Sequence, residues 1–210
     1  MNNLIVFDLD GVLVDSKEIH YDTLNQAIMK YAGDTFIIAK DEHEKLFDAK
    51  PTLVKLKMLT EYKGLDSSLY DMIAKEKQLL TIQAINTFTQ DHEMCDLFRE
   101  LKSMNIKLCC ASNSVYETVK MSLLRLGLMD YIDYFVSNED VSRGKPHPEM
   151  YYKCMSRFEC SPSNTIIVED SPVGLCAARK TGACVIPVKS RKCINRGLLI
   201  KHIHHLQYQK

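Results

Sequence analysis

Four short apolar runs punctuate the chain: LIVF at 4–7, IKLCCA at 106–111, TIIV at 165–168 and CVIPV at 184–188. Each has the length of a strand buried on both faces, and helical patterns fill the intervals between the last three. This alternation predicts a parallel sheet covered by helices, an α/β fold. YFVS at 134–137 adds a weaker fifth strand with short flanks. The helices carry end signals. Ser114 and Glu117 have capping-box spacing, Val115, Val119, Leu123 and Leu126 share one face, and Gly127 stands at the C-terminal end. Further on, Ser171 and Pro172 have the order of an N-cap and a first helical residue, with Gly182 closing that helix.

Residues 15–88 break the alternation, since they hold helical patterns and no convincing strand. Leu24, Ala27, Ile28 and Tyr31 form one apolar stripe, and Leu69, Met72, Ile73 and Leu80 another. The pattern therefore divides the chain into a sheet-bearing core, residues 1–14 and 89–210, and a small helical domain, residues 15–88, inserted after the first strand. Such an insertion is expected to cover the sheet edge where that strand ends and to open and close as a lid. The C-terminal KHIHHLQYQK reads as a frayed polar tail despite its histidines.

The residues just beyond the strands carry the chemistry. Asp8 and Asp10 come after the first, Ser112, Asn113 and Ser114 after the second, Lys145 in RGKPHPE after the weak one, and Glu169 and Asp170 after TIIV. Helix capping and loop solvation explain each cluster alone, but not four clusters at one sheet edge, where open parallel sheets bind their ligands. Carboxylates gathered in a partly desolvated cleft repel one another, so the group requires a cation. Oxygen donors without a zinc-type His/Cys set favour magnesium, which keeps water and a substrate phosphate in its octahedron. Lys145 and the amides opening the helix after Ser114 suit a phosphate dianion. Side chains alternate along extended backbone, so Asp8 and Asp10 point to the same side. One can attack phosphorus while the other serves the leaving group.

Composition narrows the setting. The 27 basic residues balance the 27 acidic ones, which gives no reason to expect nucleic acid as a partner. The eight cysteines form no C-x-x-C pair, and several lie in apolar runs, as expected in a reducing compartment. No run approaches the ~20 apolar residues of a membrane span, and MNNLIVFDLD lacks the basic start of a signal peptide. The expectation is a cytoplasmic monomer that meets no membrane and acts on a small phosphorylated metabolite.

DLDGVLVDS, CCASNS, GKPHPE and IIVEDSPVGLCAA resemble, in order, the four motifs of the haloacid dehalogenase superfamily, in the helical-cap subgroup of β-phosphoglucomutases and phosphoglycolate phosphatases. The resemblance implies a Rossmann-like core with a four-helix cap. It implies Asp8 as nucleophile and magnesium ligand, and Asp10 as general acid/base that also binds the metal through its backbone carbonyl. Ser112 would hold the transferring phosphoryl group, Lys145 would bridge that group and Asp8, and Asp170 and Glu169 would complete the metal site. It also assigns substrate binding to Asn113, and to His20 and Lys77 in the cap, Lys75 being the other lysine near that position. Asp10 speaks against dehalogenation, for which the superfamily dispenses with the second aspartate. Two departures stand out. LFDAKPT at 46–52 lacks the Gly-Arg pair that grips the distal end of a phosphorylated sugar, leaving only Lys50, and NTFTQDHE at 86–93 lacks the usual Pro-Gly hinge. The first weakens the reading as a β-phosphoglucomutase-like isomerase relative to a phosphomonoester hydrolase. A non-catalytic binder of phosphate ligands is the third alternative, and it has no use for Asp10.

Overall fold

The computed structural model describes residues 3–48 and 50–208. The strands are β1 (Asn3–Phe7), β2 (Ile106–Ala111), β3 (Tyr134–Val136), β4 (Thr165–Glu169) and β5 (Cys184–Pro187). The helices are α1 (Lys17–Ala32), α2 (Lys40–Glu42, continued by a π-turn at His43–Phe47), α3 (Thr52–Lys63), α4 (Tyr70–Ile85), α5 (His92–Ser103), α6 (Tyr116–Arg125), α7 (Glu149–Arg157), α8 (Pro172–Arg179) and α9 (Arg196–Tyr208). The chain separates into two compact units, Met1–Asp15 with Phe88–Lys210, and Ser16–Thr87.

Among the described residues the larger unit holds a sheet of five parallel strands in the order β3-β2-β1-β4-β5. β1 lies at its centre, paired from Asn3 with Ile106 to Phe7 with Cys110 on one side, and from Leu4 with Thr165 to Phe7 with Val168 on the other. Alternate residues face opposite layers. Ile5, Phe7, Leu108, Cys110, Ile166 and Val168 pack against Phe98 and Leu101 of α5, Val119 and Leu123 of α6, and Leu199 and Ile203 of α9. Leu4, Val6, Cys109, Ala111 and Ile167 pack against Met150, Tyr151 and Cys154 of α7 and Ala177 and Ala178 of α8. Burial on both faces is why the strands read as unbroken apolar runs. It also leaves the strand ends as the natural place for polar groups.

The smaller unit is helical. Leu24, Ala27 and Ile28 of α1, Leu56 and Leu59 of α3 and Ile73 of α4 close around Ile38 and Phe47. The second apolar stripe is displaced from expectation: Met72 is 43% exposed, whereas Thr81 and Ile85 turn inward with Ile73. Thr81 tolerates burial because its hydroxyl reaches the Lys77 carbonyl at 2.8 Å and the Thr23 hydroxyl at 3.1 Å. A hydrophobicity pattern does not register a polar residue satisfied in this way. The described part of KHIHHLQYQK differs from its reading as a frayed tail, since α9 continues to Tyr208 and buries Ile203 there beside Leu199 one turn earlier, whereas residues 209 and 210 lie outside the described residues. Among the described residues no helix is long and apolar enough to cross a membrane.

Candidate active site

The C-terminal ends of β1, β2 and β4 bring together the polar residues that succeed the strands. Asp8, one residue beyond β1, is 7% exposed, and its backbone N–H donates to the Val168 carbonyl at 3.0 Å. Three residues on, Gly11 adopts φ +89°, and the N–H groups of Val12, Leu13 and Val14 all turn back to the Leu9 carbonyl. That tight turn needs the glycine's left-handed freedom. Lys145, also 7% exposed, reaches in from the loop before α7. Its Nζ donates to Asp8 Oδ1 at 2.6 Å, to Glu169 Oε1 at 2.5 Å and to the Ala111 carbonyl at 2.8 Å, which uses all three ammonium protons. Glu169 is fully buried. Its Oε1 also accepts from the Tyr151 hydroxyl at 2.7 Å, and its Oε2 accepts from the Asp170 and Ser171 amides and the Ser171 hydroxyl at 3.0–3.3 Å.

Asp10 is held differently. Its Oδ2 accepts from the Ser114 hydroxyl at 2.9 Å and from the Ser112 hydroxyl at 3.3 Å, while Ser112 Oγ accepts from the Ser114 amide at 3.0 Å. Ser114 therefore does not cap α6. The N-cap position is Val115, which has no side-chain cap, and the Tyr116 amide donates to the Glu139 carboxylate instead. The capping-box spacing of Ser114 and Glu117 is overridden because the serine hydroxyl has a charged acceptor within reach. Farther along, Ser171 Oγ does cap α8 by accepting from the Gly174 amide at 3.0 Å. Asn113, expected to touch substrate, spends its amide group on the loop backbone: its Oδ1 accepts from the Lys145 N–H at 2.9 Å, and its Nδ2 donates to the Lys145 carbonyl at 3.2 Å.

Carboxylate oxygens of Asp8, Glu169 and Asp170 lie within 4.8 Å of one another. Three carboxylates face one ammonium group here, so the site carries excess negative charge. Burial, reinforced by Glu169, pushes the Asp8 carboxyl well above the usual carboxylate range, against the pull of Lys145. Burial disfavours the Lys145 ammonium, but Asp8 and Glu169 outweigh it and hold its pKa well above the ordinary lysine value. A hard divalent cation bound by the Asp8 and Asp170 oxygens fits this cluster and would relieve the excess charge.

In the smaller unit, Lys77 Nζ lies 3.1 Å from His20 Nδ1, so these two candidates form a pair, whereas Lys75 is exposed. Lys50 Nζ turns back onto the Leu46 carbonyl at 2.5 Å. A second lysine–histidine pair has no signal in the sequence pattern. Lys55 Nζ and His43 Nε2 lie 3.1 Å apart, both side chains buried. Tyr151 also escapes sequence reasoning, because YY in an amphipathic helix reads only as packing. The signal available is a tyrosine on the buried face, whose hydroxyl has to find a polar partner.

The family profile described as haloacid dehalogenase-like hydrolase matches residues 5–188. A phosphorylated carbohydrates phosphatase of Thermotoga maritima is 27% identical over 181 residues, covering 85% of this chain and 81% of that protein. A validoxylamine A 7'-phosphate phosphatase of Streptomyces hygroscopicus subsp. limoneus is 24% identical and covers 87% of this chain and 83% of its own. Among solved structures, a β-phosphoglucomutase of Clostridium difficile superposes with a TM-score of 0.82 at 20% identity over 98% of both chains. That last likeness is one of fold.

Proposed function

We propose that this chain, which belongs to the haloacid dehalogenase-like hydrolase family, hydrolyses a small organic phosphomonoester through an aspartyl-phosphate on Asp8. The observation that carries the reading is the placement of two differently held aspartates at one sheet edge. Asp8 is tied to Lys145, and Asp10 is held by the hydroxyls of Ser112 and Ser114. In the first step an Asp8 carboxylate oxygen attacks phosphorus in line as the ester oxygen leaves, and Asp10 gives that oxygen its proton. In the second step Asp10, now a carboxylate, takes a proton from water. The resulting hydroxide attacks the same phosphorus, releases phosphate and restores Asp8. Lys145 neutralises the growing negative charge on the phosphoryl oxygens, and Ser112 offers a hydroxyl donor beside them.

Asp8, Asp170 and the Asp10 backbone carbonyl would hold magnesium, which when bound supplies positive charge against the phosphoryl oxygens. The phosphatase relatives support a phosphorylated carbohydrate or related small molecule as substrate. The isomerase reading draws on the likeness in fold and lacks the Gly-Arg grip a sugar bisphosphate would need. The test is phosphate release with magnesium from a panel of sugar phosphates, phosphoglycolate and nucleotides, with Asp8→Asn in parallel. Release by the wild type alone is expected. Conversion of β-glucose 1-phosphate to glucose 6-phosphate, primed by the bisphosphate and without phosphate release, would replace the hydrolase with the isomerase.

A further inference from the structure

We infer that Tyr151 is a positioning residue: its hydroxyl orients Glu169, and Glu169 in turn aims Lys145 at Asp8 as that lysine's anchor, not as a ligand of the cation. The inference rests on the hydrolase reading for its kinetic part only.

The geometry leaves Glu169 little choice. Five donors converge on its two oxygens: Lys145 Nζ and the Tyr151 hydroxyl on Oε1, and the Asp170 amide, Ser171 amide and Ser171 hydroxyl on Oε2. A carboxylate offers about four lone-pair sites, so every direction from which a cation could be bound is already used. Asp170 is the residue of the pair that lies beyond the strand, and its oxygens share the cluster with Asp8.

Tyr151 is fully buried in α7, and its ring lies 5.1 Å from Lys145 Nζ. One side chain thus touches the ammonium group with its ring and the ammonium's acceptor with its hydroxyl. Without that hydroxyl, Oε1 is free to rotate towards another partner, and the short contact to Lys145 loses its direction. Gly174 completes the pocket, since a Cβ there would fall 1.8 Å from Glu169 Oε1. Neither α7 nor α8 can shift without moving the carboxylate.

The test compares wild type, Tyr151→Phe and Glu169→Gln. Phenylalanine keeps the ring and its packing, so only the hydroxyl is lost. Tyr151→Phe should lower kcat on p-nitrophenyl phosphate roughly tenfold, the order expected for losing a hydrogen bond to a charged group, with KM changed less than about twofold. Magnesium titrated alone onto each protein by calorimetry should bind both variants within a few-fold of wild type. The Lys145 ammonium, assigned through Lys145→Arg, should give a slowly exchanging ¹⁵N signal in wild type that broadens in Tyr151→Phe. A wild-type kcat together with an unchanged ammonium signal in Tyr151→Phe would overturn the positioning role. A loss of tenfold or more in magnesium affinity in Glu169→Gln would make Glu169 a ligand and overturn the anchor. If the wild type turns over no phosphomonoester, the hydrolase reading fails, while the ammonium signal and the magnesium titration still decide the inference.

Discussion

Asp8 and Asp10 stand one residue apart, yet their neighbours differ in kind, an ammonium group for the first and hydroxyls for the second. A nucleophile has to be anionic and steadied by positive charge, whereas an acid/base has to gain and lose a proton, which hydroxyl partners permit because they donate or accept. Asp10→Asn should therefore slow turnover by at least ~10²-fold with the fold intact, as steady-state kinetics and circular dichroism would read. Unchanged kinetics would remove Asp10 from the chemistry. At this scale the sequence is most legible where residues come directly after strands. Asp8, Asp10, Ser112, Glu169 and Asp170 stand out because apolar runs end and carboxylates or a hydroxyl come next, whereas Lys145 lies nine residues beyond β3 and is legible only within RGKPHPE. Ser114 is legible only as a cap. Its bond to Asp10 crosses 104 positions of chain, and no local pattern encodes that.

At the scale of elements, the start of α8 couples fold to site. Ser171 caps the helix and Pro172 opens it, while Gly174 leaves room for the Glu169 carboxylate. Alanine favours a helix over glycine by about 1 kcal/mol, so Gly174→Ala would stabilise an isolated helix. Here the expectation is the reverse. Gly174→Ala should lower the melting temperature and reduce kcat by tenfold or more, since the added methyl displaces Glu169 and frees Lys145; a more stable, fully active variant would contradict the packing described. Four strands and their parallel direction are readable from apolar runs that alternate with helical patterns, because burial on both faces leaves an unbroken signature, whereas the order β3-β2-β1-β4-β5 has no local signal. The helices are less so. α4 buries Thr81 through hydrogen bonds that a hydrophobic stripe does not predict, and α9 hides two buried residues, Leu199 and Ile203, in a segment whose polar end suggests a tail.

At the scale of the whole molecule, the two units respond to different solution conditions. In the smaller one, burial and the nearby Lys55 charge lower the His43 pKa from 6.5 to about 4, with Asp48 and Glu18 acting against this and His20 with it. Folding keeps this imidazole neutral while the unfolded chain protonates it, so the unfolded state binds more protons between those two values. Stability from this group is complete above about pH 6.5 and lost as pH falls towards 4, by up to about 3 kcal/mol. Chemical unfolding of wild type and His43→Gln should show that difference closing between pH 7 and 4.5; a constant difference would mean that His43 protonates freely in the fold. In the larger unit the proposed magnesium would be the lever, and an excess of chelator should abolish phosphate release, with restoration by magnesium. Activity that survives chelation would remove the metal from the mechanism. The central claim is a phosphoryl group carried on Asp8. Rapid quenching of the wild type during turnover of p-nitrophenyl phosphate, borohydride reduction of the acyl phosphate and peptide mass analysis test it directly. Homoserine in place of Asp8 in the wild type, and unmodified peptide in Asp8→Asn, is the predicted result, whereas an unmodified Asp8 in a fully active enzyme would contradict it.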